Sequence, residues 1–536
     1  MASSNLWRSA RAQVEAELLG RLRSPATLVS LIGLLVLSFL WVPSPTSGAY
    51  SIAWKNAHGE LESGRYSTSF VGASAAVLAA LFLTLIGFYL VAGSVRRDRE
   101  SGIGLILAGT PLTRSAYLFG KWLAHFAYLS VLGSVALATG LAVWLRYGEG
   151  PFALWPLVAP YLLLVPVGLA FTAVTAVLFD VTPGLRGRGG QVLYFFFWTF
   201  VFLLLPGEFY GGFEQAPSEG SWPLFDPVGL ATFVRVLHHS LPNGFGGDLN
   251  LGLAIIDEPI ARVPWPGIQF GLGMVGARIG SLLWLLPPFA LAVWVFDRFD
   301  PARGRARSRR KESAEPVVPP QGTPARVVAP AVALAPISTS PSSARAVAAE
   351  ARLIWLEARL QRWPLAGTAL AAALPGSAGQ LPAAIFLLLL GVVLSEVAAR
   401  ESLAGTSPLI HSQPAVPRSK LAWKLGASLL VSLLLGLPGE LAALLGGAAG
   451  GLAWLLGLGF VATLAVATGS LSRGGRLFLG LYTALWYLAL NGKGGPFDFS
   501  GRFGTESRLG VAASFLAGAM LLMLLAQALE HRRERA

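Results

Sequence analysis

Two apolar runs of bilayer length, Ser69 to Ser94 and Tyr117 to Trp144, flank a knot of charge that begins Arg96-Arg97-Asp98-Arg99-Glu100. A bilayer's hydrocarbon core is about 30 Å thick, and a helix of about 20 apolar residues crosses it. Backbone polar groups at that depth must be satisfied within the segment, so such runs are read as helices. A charge at the bilayer centre costs on the order of 3 kcal/mol or more, so the knot lies outside the hydrocarbon. Its excess of arginine places it on the cytoplasmic side.

The composition extends this reading to the whole chain. Of 536 residues, 54% are hydrophobic and 13% charged, with mean hydropathy +0.61. A soluble domain carries about 25% charged residues. The expected class is an all-α polytopic membrane protein. There are no cysteines, which excludes a disulfide framework and thiolate metal sites. The net charge of +13 concentrates on the loops assigned to the cytoplasm. Orientation in a bilayer accounts for it without a nucleic-acid partner.

Residues 2–24 place Leu6, Ala10, Val14 and Leu18 at every fourth position, with Arg8, Arg11 and Glu15 between them. That is an amphipathic helix lying in the membrane interface. Pro25 opens the first span, 26–42, and an outside loop covers 43–68. Further spans follow at 69–94, 117–146, 153–179, 191–206 and 279–296, the last kinked at Pro287-Pro288. A long outside loop, 207–277, contains an amphipathic helical pattern at 227–241. Residues 298–350 hold a basic run and then a Pro/Ala/Ser-rich tract, read as a largely disordered cytoplasmic linker.

The pattern then restarts. Ile354, Leu356, Leu360 and Trp363 alternate with Glu357, Arg359 and Arg362 up to Pro364. A short apolar run at 365–374 precedes spans at 380–398, 421–446 (broken near Pro438), 447–470, 477–491 and 509–529. The expected organisation is therefore a first transmembrane half, 1–297, the linker, 298–350, and a second half, 351–536. Together they give about twelve transmembrane helices as two pseudo-repeated six-helix halves, each preceded by an interfacial helix. Both termini are expected in the cytoplasm, on the inner side of a bacterial-type cytoplasmic membrane.

Each half carries a polar element at the same place, 96–121 and 400–424. In the first, a short helix is expected from about Asp98 to Leu107. Gly109 ends it, Pro111 blocks its continuation, and Thr113 or Ser115 caps the next helix. The motif residues are Arg97, Glu100, Gly109-Thr110, Pro111-Leu112-Thr113-Arg114 and Gly120-Lys121. The second copy reads Glu401, Gly405-Thr406, Pro414, Arg418 and Trp423-Lys424, with a longer Pro-to-Arg spacing.

This pattern resembles the type-2 ABC exporter permeases. The resemblance implies that 96–121 and 400–424 contain coupling helices, which dock two copies of a separate ABC ATPase subunit. ATP and Mg would belong to that partner, with no cofactor held by this chain. It further implies export powered by ATP hydrolysed elsewhere, so the chain itself is not an enzyme. No phosphate-loop motif G-x-x-x-x-G-K-[ST] occurs, and Gly492-Lys493-Gly494 lacks its spacing.

Other readings place ionisable groups differently. An ion-coupled secondary transporter needs such groups at mid-membrane, where His125 and Glu440 are the candidates for lining a pathway. A multispan enzyme acting on lipid-linked substrates needs an outside carboxylate cluster, for which Asp257-Glu258 is the candidate. His238-His239 with Asp226 and Asp248 are the residues to weigh as a metal site, though adjacent helical histidines point apart. The expectation is no metal, and membrane lipids beside the ATPase as partners. Apolar, aromatic spans favour an amphipathic cargo.

Overall fold

A computed structural model describes residues 2–45, 49–206, 222–246, 249–255, 260–299, 342–359, 361–374, 376–407, 416–491, 496–504 and 509–535. Helix α1 (Ala2–Leu22) meets α2 (Pro25–Trp41) at a bend of 75°. The bend is encoded in Ser24-Pro25. The Ser24 hydroxyl accepts from the Thr27 N–H, and Pro25 occupies the first helical position, where its missing N–H is harmless. α1 packs instead against the start of a later span, α6 (Arg114–Tyr147).

Helix α3 (Thr68–Val91) is the axis of the first half and is buried along nearly its whole length. Small residues let its neighbours approach to backbone contact, as is usual where lipid supplies no hydrophobic force between helices. A Cβ added at Gly72 would lie 2.5 Å from the Leu157 carbonyl of α7 (Leu154–Val181). Beyond α3 the chain forms two short helices, α4 (Ser94–Glu100) and α5 (Ile103–Ala108), before α6. The single helix expected over Asp98 to Leu107 is thus broken. Gly102, at φ +77°, turns the chain between the two pieces in a conformation only glycine adopts freely. Thr113 caps α6, its hydroxyl accepting from the Ala116 N–H at 3.2 Å.

α8 (Arg188–Phe197) continues into a π-helical stretch, Trp198–Leu204. α9 (Leu230–Ser240) matches the amphipathic pattern. α10 (Leu272–Ser281) and α11 (Leu286–Val295) are joined by a 3-10 turn placed just before Pro287-Pro288.

The all-helical expectation needs one correction. Strands β1 (Ala49–Lys55), β2 (Leu61–Gly64), β3 (Leu249–Ile255) and β4 (Ala261–Val263) form a sheet in the order β3-β1-β2-β4. β1 is antiparallel to both neighbours, and β2 is parallel to β4. The sheet lies at the α2-to-α3 end, opposite the basic elements. Its pairing joins segments far apart in the chain, such as Ala49 with Ile255, which local periodicity does not reveal.

In the second half α12 (Ser343–Glu357) packs on α16 (Val416–Leu445), much as α1 packs on α6. α12 begins inside the stretch assigned to the linker; most of that linker lies outside the described residues. α13 (Arg362–Ala371), α14 (Gln380–Leu394), α15 (Arg400–Ala404), α17 (Ala448–Ser472), α18 (Arg476–Asn491) and α19 (Leu509–Arg535) complete the chain. The break expected near Pro438 does not occur, for α16 runs through it. Gly436 admits Leu458 and Gly439 admits Trp454 of α17 against the proline turn, and the Trp454 indole donates to the Gly436 carbonyl at 3.0 Å.

Among the described residues seven helices are long and apolar enough to cross a membrane, or eight if α1 and α2 are counted as one bent span. The expected twelve needs shorter helices to cross as well. Gln380–Leu394, with 15 residues, rises only about 22 Å. The two halves meet where α3 packs on α18, with Gly480 against Tyr89 and the Phe195 ring against Trp486.

Candidate functional site

The polar element at 94–114 rests on an apolar cushion of its own. Val95, Tyr117, Leu118, Val177, Val181, Ala292, Phe296 and Phe299 form a cluster separate from the main core. α5 lies so close to it that a Cβ on Gly104 would come within 2.6 Å of the Phe299 ring. Glycine is required here for close approach.

Three polar fasteners hold the element. The Asp180 carboxylate, at the end of α7, accepts the backbone N–H groups of Gly93 and Val95, the latter at 3.2 Å. It caps α4 just after Gly93 (φ +84°) breaks α3. The second fastener is Lys121 of α6, whose ammonium is nearly fully buried between Glu17 of α1 and Asp98 of α4. It bonds Glu17 and lies 2.8 Å from Asp98, which also accepts from the Tyr117 hydroxyl at 2.6 Å. The third comes from beyond α11. Arg99 pairs with Asp297 at 2.7 Å, and Arg298 donates to the Thr110 carbonyl at 2.7 Å.

What α5 leaves uncovered is apolar. Ile103, Leu105 and Ile106 are 48%, 59% and 72% exposed. A short helix that is rigidly mounted yet shows isoleucine and leucine outward has the make-up of an interaction surface.

The second half repeats the central fastener. Lys424 of α16 is buried, 2.6 Å from Glu401 of α15 and 3.7 Å from Glu350 of α12. Lys420 adds a contact to Glu401 at 3.7 Å. Arg400 pairs with Glu350, and with Glu357 at 2.7 Å. Interfacial-helix acid, span lysine and short-helix acid thus recur as Glu17–Lys121–Asp98 and Glu350–Lys424–Glu401. Arg97 and Arg400, Asp98 and Glu401, Gly102 and Gly405, and Lys121 and Lys424 all stand at one constant offset in sequence. Gly102 and Gly405 both take positive φ, +77° and +69°. The structural counterpart of Glu401 is therefore Asp98. Glu100 is exposed and makes an i,i+4 contact with Arg96 at 3.5 Å.

The other predicted residues fall as follows. Arg97 is exposed on α4. Gly109 ends α5 without a left-handed turn, the Thr110 hydroxyl donates to the Leu107 carbonyl, and Pro111 sits in the connection to α6. Arg114, half-buried at the start of α6, shares a small hollow with Arg298 and Phe299. The Thr406 N–H donates to the Glu401 carbonyl at 3.0 Å, closing α15. Pro414 lies outside the described residues, as does the side chain of Arg418 on α16.

His125 is buried, its Nε2 2.9 Å from the Ser94 hydroxyl. Glu440 is buried beside Gly451 near the far end of α16. Neither lines the two large cavities. Asp226 spends its carboxylate on the Gly229 N–H and on the N–H and hydroxyl of Thr232. His238 packs on Phe245, and Asp248, Asp257 and Glu258 lie outside the described residues. Among the described residues no group of three or more His, Asp or Glu gathers as a metal site.

Sequence reading missed Glu17, Asp180, Asp297, Arg298 and Glu350. Asp180, a carboxylate ending a long apolar run, carried a signal of its own.

Burial pushes the Glu17 carboxyl up, but the charges of Lys121, Arg21 and Arg97 and the bond from Lys121 outweigh it and hold its pKa at about 2. A carboxyl depressed from 4.5 to about 2 stabilises the fold by roughly 3 kcal/mol above the unfolded value. That stabilisation disappears as pH falls from about 4.5 toward 2. Glu17→Gln is therefore expected to flatten the loss of thermal stability between pH 5 and 3, measured on the purified protein.

A family model described as ABC-2 family transporter protein matches residues 12–301, more than half of the chain. No curated protein and no solved structure gave a match.

Proposed function

Since the chain belongs to the ABC-2 transporter family, we propose that it is the complete membrane-spanning part of an ABC exporter, with two fused halves in one polypeptide. It is a multi-pass membrane protein and the membrane component of an ABC transporter. In this reading the basic end faces the cytoplasm and the sheet faces outward. Two separate ATPase subunits dock beneath α4–α5 and α15. Their closure on ATP pushes these short helices, and the buried lysines pass the displacement to the spans. The shorter helices 189–204, 380–394 and 476–490 then cross the membrane as well, which makes eleven spans, and the short apolar run at 365–374 supplies the twelfth.

The observation that supports this best is the doubled clamp. A buried lysine between two carboxylates makes α1, α4 and α6 move as one piece, and α12, α15 and α16 likewise. Asp180 and the Asp297-Arg298 pair add α7 and the segment after α11 to the first of these. A push on α5 therefore reaches the bundle and is not absorbed by a loose loop.

Leu105→Asp with Ile106→Asp tests the docking face. Both side chains are exposed, so the fold should be kept, with thermal stability near the parent's. Association with the co-expressed ATPase is expected to fall at least 30-fold, the loss of an apolar contact worth about 2 kcal/mol or more. Unchanged association and unchanged transport would rule this surface out.

A further inference from the structure

At the basic end of the seam between the halves lies a cavity of about 360 Å³, within the size range of small-ligand pockets. Arg21, Arg96 and Arg97 line it from the first half, and Arg473 and Arg476 from the turn between α17 and α18. Among its described lining the carboxylates are Glu100 and Glu396, and Glu100 already faces Arg96.

Three of the five arginines are occupied. Arg21 donates to the Leu90 and Val91 carbonyls at 2.7 and 3.1 Å, and Arg476 to the Ala92 carbonyl. Arg96 reaches Glu100 and the Arg186 carbonyl. Arg97 and Arg473 differ: both are exposed, and among the described residues neither guanidinium has a hydrogen-bond or ion-pair partner. Arg473 also holds φ at +52°, at the left-handed C-terminal position of α17, where glycine is the usual occupant. Gly474 and Gly475 follow immediately, so the chain sets an arginine in the strained position beside two residues that would fill it freely.

Clustered like charges in a partly enclosed hollow focus a positive potential that draws in an anion. The guanidinium fork matches phosphate oxygens in particular. Leu90, Leu477 and Tyr128 give the same cavity apolar walls. We propose that it binds a phosphate-bearing anion, with Arg97 and Arg473 as the donors contributed by the two halves. A bound phosphate bridges the seam at this end and holds the halves together there. The source is the headgroup of an acidic membrane lipid or free phosphate.

The test uses the full chain purified in detergent, with no ATPase present, so it is read independently of the docking proposal. Phosphatidylglycerol, phosphatidylcholine and inorganic phosphate are titrated separately and followed by native mass spectrometry. Saturable binding of one phosphatidylglycerol in preference to phosphatidylcholine is expected. R473Q should weaken it about tenfold and R97Q with R473Q further, each lost charged bond counting for 1.5 kcal/mol or so. R11Q, an arginine remote from the cavity, should change nothing. If inorganic phosphate alone binds, with the same losses in the variants, the source is soluble and the site stands. Equal retention of both lipids without phosphate binding overturns the proposal, as does binding that the R97Q and R473Q changes leave intact.

Discussion

Lys121→Met is expected to destabilise the protein by about 3–5 kcal/mol, the cost typical of removing one partner from a buried ion pair. Lys121 is buried between Glu17 and Asp98, whose side chains are themselves mostly covered. Methionine fills much the same volume but removes the ammonium between the two carboxylates, leaving Glu17 only Arg21 at 3.4 Å. Lys424→Met removes the same central charge from between Glu401 and Glu350, with Lys420 still near Glu401 and Arg400 still paired with Glu350, so its cost is expected to be smaller. There too burial pushes the Glu401 carboxyl up, and the charge and hydrogen bond of Lys424 more than offset it, so its pKa is lowered.

The compensated variant separates architecture from coupling. Lys121→Met combined with Glu17→Gln and Asp98→Asn removes the three charges of the clamp together and leaves Arg21 on the Leu90 and Val91 carbonyls, and its melting temperature should recover much of the loss. Its transport and its stimulation of the partner ATPase should not recover, because α1, α4 and α6 are no longer locked together. Melting curves in detergent and ATPase assays in proteoliposomes give the two readouts. Full coupling in the compensated variant would reduce the clamp to a structural pairing.

The second large effect is expected at Asp180. Its carboxylate serves two buried backbone N–H groups at the joint where α3 gives way to α4. Asp180→Ala leaves Gly93 and Val95 without their acceptor, at roughly 2–4 kcal/mol. Asp180→Asn keeps one acceptor oxygen and should cost about half as much. The damage should begin locally. Amides of residues 94–108 are expected to exchange faster at temperatures where α3 and α7 stay protected. Parent-like protection of that stretch in Asp180→Ala would show that the apolar cushion alone positions the element. Arg476 and Arg96 also lose a nearby negative charge in both variants.

Local chemistry explains why so much of the helix plan was readable. Of the two candidate caps Thr113 and Ser115, Thr113 caps α6, Pro25 opens α2, and the spans at 69–94, 117–146, 153–179, 447–470 and 477–491 appear as helices within a few residues. Each depends on apolar length or on a residue within one turn of the helix end. Gly102 was harder to read, because one glycine inside a short polar stretch looks the same whether it is tolerated in a helix or breaks it. The α4–α5 break depends on what lies beneath: Phe299 occupies the space under Gly104, and Asp180 fixes the start of α4.

Distance along the chain sets the limit elsewhere. Asp98 and Glu100 are equally plausible acids in the motif, and only the approach of α6 selects Asp98 by bringing Lys121 to 2.8 Å. Glu17 and Glu350 look like ordinary surface acids of amphipathic helices until α1 and α12 dock on their spans. The sheet pairs segments from two loops that alternate too briefly to be recognised apart.

By itself, then, the amino-acid sequence determined that this chain lives in a membrane, where most of its long helices run, and that similar polar stretches recur at 96–121 and 400–424. Hydrocarbon length, proline and glycine chemistry and charge asymmetry act over single turns or single spans, and they leave a mark on every local stretch. Only the tertiary structure decided which acids hold the buried lysines, where the sheet forms and which arginines face the seam. Those outcomes depend on groups between about twenty and two hundred or more residues apart meeting in a low-dielectric interior, where an unpaired charge is not tolerated.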